Sequence, residues 1–238
     1  VLKPLVDRIL ELSSLPQEEQ KKELWAKHNA LERTDKIPVC VSHEGIPGPQ
    51  WDLMLGAGHR KCAGETARMI EFNLRRRIWA AENIPDDHVT WPAVILPAVP
   101  ASQPDWGVSL AWHHSGDELG AKGYDPPFKD GIELGRLRKP SWPVDPAATA
   151  ARLAEASELV GGKLAVHPRY ETPGEAPFDI AVQMRGMESI FFDVADCPEL
   201  LHGLMEFITT SIIEDHHRRE AAGWINGPPD PSGRYQMI

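Results

Sequence analysis

The sequence predicts an α/β protein built on parallel strands, and three observations carry that prediction. Short apolar runs alternate along the chain with long stretches of helical periodicity. The runs lack a two-residue alternation, which marks strands covered on both faces. Helix-starting and helix-stopping residues stand at the borders of the periodic stretches. The resulting order of strand, helix, strand, helix, strand, helix, strand implies parallel pairing through right-handed crossovers.

Residues 3–30 read as helical with an interruption at Pro16, with Glu18, Glu19, Lys21, Lys22 and Glu23 on a wet face and Leu24, Trp25 and Leu31 available for packing. The run 37–42 is the first strand candidate, with Pro38 tolerable because it lies near the start. After a Gly/Pro-rich loop, residues 59–83 form a long helix whose stripe passes through Ala63, Ala67, Ile70, Leu74, Ile78 and Ala81. Its run Arg75, Arg76, Arg77 is expected to be a solvated helix face. A second strand lies within 89–99, broken by Pro92 and Pro97, and residues 101–140 form a long irregular loop of the kind that is usually functional or a lid.

Asp145 and Pro146 take the favoured cap and first-turn positions of a third helix, which Gly161 and Gly162 close. Residues 164–167 are the third strand candidate. A layer of three short helical segments follows: 177–184 stopping at Gly186, then 187–193, then a long amphipathic helix capped by Asp196 with Glu199 three residues later. Leu201, Leu204, Met205, Ile208 and Ile212 form its stripe, and His217, Arg218 and Arg219 precede a stop at Gly223. Residues 235–238 begin a fourth strand.

A chain of 238 residues with 42% hydrophobic content is long enough for one sizeable core. The net charge of −10 argues against nucleic-acid binding as the main role. No apolar run approaches the roughly 20 residues needed to span a bilayer, and the N-terminus has no secretory pattern, so the expected setting is the cytoplasm. The three cysteines, Cys40, Cys62 and Cys197, are odd in number and scattered, which fits a reducing compartment.

A closed eight-stranded barrel typically takes about 250 residues, whereas four strand candidates here occupy 238. That leaves an open sheet or half of a barrel. The start at Val1 and the stop at Ile238, just as a strand-like run begins, favour the half barrel: residues 1–36 as an N-terminal helical segment and 37–238 as one incomplete domain with about four strands. Isolated, such a half exposes a sheet edge and is expected to associate, as a homodimer or an aggregate.

Barrel sites form at the C-terminal ends of strands. After the first strand these are His43 and Glu44, an adjacent acid/base pair or metal ligand and partner; the plainer alternative is a surface histidine beside a loop-capping carboxylate. After the third come His167, Arg169, Tyr170 and Glu171, where Arg169 can hold an anionic group and Tyr170 orient it, against the alternative of a surface Arg-Glu pair. Trp106, Trp112, His113 and His114 in the long loop either wall a pocket for a flat ligand or anchor the loop. His59 and Cys62, three apart on the expected helix, are too few for a metal site. No glycine-rich phosphate loop, Gly-x-Ser-x-Gly elbow or Cys-x-x-Cys pair occurs.

The run Gly186, Met187, Glu188 with Asp193, Asp196, Pro198, Glu199, Leu200 and His202 resembles the signature of the uroporphyrinogen decarboxylase superfamily, which includes corrinoid-linked methyltransferases. Leu24-Trp25 upstream of 35–39, Asn73-Leu74-Arg75-Arg76, and Pro85-Asp86-Asp87 agree in order and spacing, so the resemblance covers most of 24–223. It implies a (β/α)8 TIM barrel of which this chain is the N-terminal half. Uroporphyrinogen decarboxylases follow the first strand with an arginine-rich loop and end the second near an aspartate. Here those places read Ser42-His43-Glu44-Gly45 and Trp91-Pro92-Ala93-Val94, with neither arginine nor aspartate.

The resemblance therefore implies a methyltransferase acting on a small methylated substrate with a corrinoid protein as partner, ahead of a lyase decarboxylating a porphyrinogen or a non-catalytic tetrapyrrole- or corrinoid-binding barrel. Position at strand ends makes His43 and Glu44 the expected catalytic residues and His167, Arg169 and Tyr170 expected substrate contacts, with Trp112 and His113 of the long loop beside them. Any zinc would be held by thiolates outside this chain. Nucleic acid and membrane are not expected partners.

Overall fold

The computed structural model describes residues 1–41, 46, 48–56, 58, 60–114, 116, 122–170 and 176–226, with the backbone alone at Gly48, Pro49, Trp112, His114 and Lys122. In chain order the elements are α1 (Leu2–Ser13), α2 (Pro16–Asn29), α3 (Gly48–Leu55), α4 (Glu65–Asn83), β1 (Ala93–Pro97), β2 (Ala111–His114), β3 (Lys122–Asp125), α5 (Pro146–Leu159), β4 (Ala165–Arg169), α6 (Pro177–Arg185), α7 (Met187–Asp196) and α8 (Pro198–Ala222). The protein is mixed α/β, mainly helical, with a small parallel sheet. It divides into two compact units: Val1–Ala98 with Pro146–Arg169, and Val99–Asp145 with Tyr170–Ile225.

In the first unit, β1 and β4 pair in parallel, Val94 opposite Val166, Ile95 opposite His167 and Pro97 opposite Arg169. Alternation along β1 puts Val94 and Leu96 into the core and leaves Ile95 exposed. The core forms where Val94 and Leu96 meet Ile70 and Leu74 of α4 and Val6 and Ile9 of α1. Their spacings put each set on one helical face. Ile70 and Leu74 are fully buried, each removing a side chain from water at about 1.5–3 kcal/mol.

The arginine run of α4 is not a solvated face. Arg75 donates to the buried Glu71 carboxylate, and Arg76 lies over the rings of Trp51 and Phe72. Arg77 donates to the carbonyls of Trp91 and Ala93, tying α4 to the start of β1. Burial pushes its guanidinium down to about 10, so it stays charged at neutral pH. Glu71 also accepts the amides of Lys61 and Cys62 at 2.9 and 2.8 Å. Those contacts hold the chain ahead of α4 in a non-helical path, so the helix starts at Glu65 and Cys62 lies outside it.

Two further expectations change in this unit. Glu18 leaves the wet face of α2: it is buried and accepts the Thr90 amide at 2.6 Å and the Lys21 ammonium at 2.9 Å. Leu31 is almost wholly exposed, beyond the end of α2 and with a positive φ of 57°.

Residues 37–41 are not a strand. Carboxylates take the place of a neighbouring strand: the Val39 amide donates to Asp87 at 3.0 Å and the Val41 amide to Asp86 at 2.8 Å. A sequence pattern records apolar character but not which acceptor its amides find. The expected fourth strand at 235–238 lies outside the described residues.

The second unit contains an antiparallel hairpin, β2 with β3, within the stretch expected to be an irregular loop. Its helices follow the expected punctuation closely. Gly186, with φ 87°, ends α6 and begins α7, and Gly223 closes α8 in the left-handed conformation at φ 72°, its amide reaching the Glu220 carbonyl at 3.0 Å.

The start of α8 differs from expectation. Asp196 belongs to α7, and Cys197 is the cap residue, with no side-chain capping bond. Leu204 and Ile208 of α8 pack with Ile180 and Met184 of α6, Ile190 of α7 and Phe128 in one core. Trp106 belongs to this core, edge-on to Trp142 at 6.2 Å, so it anchors the long segment.

Candidate functional site

Strand β4 carries two of the expected site residues, His167 at its centre and Arg169 at its C-terminal end. His167 and Arg169 are two apart and therefore on one face of the strand, beside Ile95 and Pro97 of β1. His167 is half-buried and Arg169 exposed. The backbone beneath them is fixed: the Ala98 amide donates to the Arg169 carbonyl at 2.8 Å, and Arg152 of α5 donates to the Pro97 carbonyl at 2.9 Å. A guanidinium with open sides can take a carboxylate or phosphate in a bidentate grip, and an imidazole next to it can exchange a proton with the bound group.

Tyr170, half-buried, Trp112 and His113 belong to the second unit. His113 is an exposed residue of β2 opposite Gly123. Its ring covers that glycine so closely that a Cβ there would fall 2.2 Å from Nε2. His43, Glu44 and Glu171 lie outside the described residues.

A second group was not expected from the sequence. The Cys40 thiol, the Asp86 carboxylate and the His88 imidazole bring their ligand atoms within 4.8 Å of one another. Asp86 organises the group through its own hydrogen bonds, with Oδ2 accepting the Val41 amide at 2.8 Å and Oδ1 the His88 amide at 3.0 Å. One carboxylate thus fixes the chain on either side, next to Cys40 and at His88.

The surroundings are equally tied down. Asp87 pairs with Lys36 and accepts the Val39 amide, its carbonyl accepts the Trp25 indole at 2.7 Å, and Lys21 donates to the His88 carbonyl at 3.0 Å. Burial, then Asp86 and Asp87, push the Cys40 thiol up from its ordinary value. Burial first pushes the His88 imidazole down, against the pull of Asp86.

Three of the segments that carry the family resemblance meet here: Leu24-Trp25, 35–39 and Pro85-Asp86-Asp87. Cys40 and His88 are 48 positions apart in sequence. A lone cysteine at the end of an apolar run and an Asp-x-His in a loop were the visible signals, and neither indicates the other.

In the second unit, Arg185, Asp193 and Cys197 form another polar cluster, but it is closed on itself. Arg185 donates to both Asp193 oxygens, and the Cys197 thiol donates to Asp193 Oδ1 at 3.1 Å.

No family model, curated protein or solved structure matches the chain. No helix among the described residues is long and apolar enough to cross a membrane.

Proposed function

We propose that the chain is part of a (β/α)8 barrel enzyme of the uroporphyrinogen decarboxylase superfamily, and that it transfers a methyl group from a small methylated substrate to a corrinoid partner. The observation that carries this reading is the parallel pair β1 and β4, linked through α5, with His167 and Arg169 on one face of β4 and Arg169 at its C-terminal end. That is the end at which barrel enzymes place their sites. Support also comes from the resemblance segments, which occupy structural positions here. Trp25, Lys36 and Asp87 interlock around one loop, and Gly186 and Asp193 shape the junction of α6 and α7.

In this reading Arg169 binds an anionic group on the substrate or its carrier, and His167 exchanges a proton at the same face. The absence of an arginine-rich loop at 42–45 and of an aspartate at 91–94 favours methyl transfer over porphyrinogen decarboxylation.

The test uses the full chain with cob(I)alamin as stand-in for the corrinoid and a panel of methylated amines, alcohols and thiols. Spectroscopic formation of methylcobalamin, lowered at least about 100-fold by Arg169→Ala, is the expected result; removal of a charged bidentate contact of about 3 kcal/mol corresponds to that factor. Carbon dioxide release from uroporphyrinogen would overturn methyl transfer in favour of decarboxylation. Tight tetrapyrrole or cobalamin binding without turnover of either kind would leave a binding protein.

A further inference from the structure

We infer that Cys40, Asp86 and His88 form a binding site for a zinc-class divalent cation. The inference is independent of the proposed methyl transfer and rests on three features of the site. The first is the donor set. A thiolate, an imidazole nitrogen and a carboxylate oxygen are the ligands zinc takes in proteins, whereas calcium and magnesium take oxygen alone.

The second is geometry. Ligand atoms on a tetrahedral zinc are roughly 3.5 Å apart given bonds of about 2.0–2.3 Å. The ligand atoms here all lie within 4.8 Å of one another, so shifts of roughly 1 Å would bring them to that spacing. Asp86 supports this directly. Each of its oxygens is already held by one amide, Val41 on one side and His88 on the other, and each keeps a lone pair for a metal. The result is a carboxylate anchored by outer hydrogen bonds, as ligating carboxylates commonly are.

The third is charge. A Cys40 thiolate and the Asp86 carboxylate together balance a divalent ion, while Asp87 is already paired with Lys36 and Lys21 with Glu18. On binding, the Cys40 sulfur forms a bond to the metal as its S–H bond breaks, and one proton leaves to solvent. Three protein ligands leave a fourth position for water, the pattern of a site open to substrate.

The experiment is a titration of the reduced full chain with zinc against a chromophoric chelator, repeated with cobalt(II). One equivalent should bind, and the cobalt form should show the thiolate charge-transfer band of a tetrahedral centre. Cys40→Ser and His88→Gln should each weaken binding at least 10-fold, the range set by loss of one ligand or its support, while Cys62→Ser and Cys197→Ser should not.

A second readout needs no variant. Zinc should slow alkylation of Cys40, followed by peptide mass spectrometry, at least about 10-fold relative to Cys62 and Cys197. Failure to bind a stoichiometric ion, binding unchanged in both ligand variants, or equal alkylation of Cys40 with and without zinc would each overturn the assignment.

Discussion

Arg185 at the end of α6 holds Asp193 of α7 in a two-point grip, Nε to Oδ2 at 2.7 Å and Nη2 to Oδ1 at 2.9 Å. Nη1 donates to the carbonyls of Phe128 and Lys129 at 2.6 and 2.7 Å, so the same guanidinium ties the loop after β3 to the helices. Both side chains are largely buried. Removing one partner strands the other charge, at about 3–5 kcal/mol. Arg185→Met is expected to lower the urea midpoint accordingly, and Arg185→Met with Asp193→Leu to recover part of the loss. If the single variant unfolded with the unaltered chain, the pair would have no structural role.

The same pair sets an acid limit. The hydrogen bonds from Arg185 hold the Asp193 carboxyl below its usual range, against burial and with help from Cys197. Because the folded value is depressed, the stabilisation is fully present above the unfolded carboxylate value of about 3.9 and is lost as pH falls through the lower folded value. Urea midpoints measured from pH 7 down to pH 3 should decline at the acid end, and Asp193→Asn should flatten that decline while lowering stability at pH 7. An identical acid profile in the variant would contradict the assignment.

Arg77 offers a contrast with its exposed neighbour Arg68 on α4. Arg77→Ala leaves the Trp91 and Ala93 carbonyls without their charged donor, for a loss of about 1.5–3 kcal/mol. Arg68→Ala should change stability by no more than about 0.5 kcal/mol. Equal melting temperatures for the two variants would restore the view of this run as a solvated face.

Gly107 is constrained twice over. Its φ of 80° belongs to the left-handed region, and an added Cβ would lie 2.4 Å from the Arg136 carbonyl oxygen and 2.9 Å from the Arg138 amide, both backbone atoms. Gly107→Ala should therefore cost more than the 1–2 kcal/mol or so of the conformation alone, and should break the Arg138 amide bond to the Trp106 carbonyl, 2.8 Å long. Gly135→Ala, with open space around it, is the comparison. Hydrogen exchange at the Arg138 amide would separate the two, and its unchanged protection in Gly107→Ala would count against the clash.

Asp87 is expected to control the path of residues 37–41. Asp87→Ala removes the acceptor of the part-buried Val39 amide bond, a cost of about 0.5–1.5 kcal/mol. Limited proteolysis should then cut within 37–41 faster than in the unaltered chain. Unchanged cleavage would mean that this segment is held by something other than the carboxylate.

Helix punctuation was legible because it is local. Pro16, Pro146 and Pro177 at helix starts and Gly186 and Gly223 at helix ends act through their own backbone angles. The parallel pairing of the second and third strand candidates was legible from their apolar runs and the helix between them.

The hairpin within 101–140 was hidden by its Gly, Pro and Trp content, and the start of α8 by Asp196, a strong capping residue type that lies one position ahead of the actual cap, Cys197. Of the expected site, His167 and Arg169 came together because a strand repeats every two residues, whereas Trp112, His113 and Tyr170 fell in another unit. The Cys40, Asp86 and His88 group could not be assembled from the sequence, because neither of its two separated signals indicates the other.

The sequence by itself determined an α/β chain, the borders of most of its helices and the two parallel strands, because caps, turns and hydrophobic period act over a few residues. Only the tertiary structure decided which polar groups are buried and what they hold. Glu18, Glu71, Asp87 and Asp193 all resemble surface residues in sequence. Each became structural when a distant amide or counter-charge arrived to offset the cost of removing it from water.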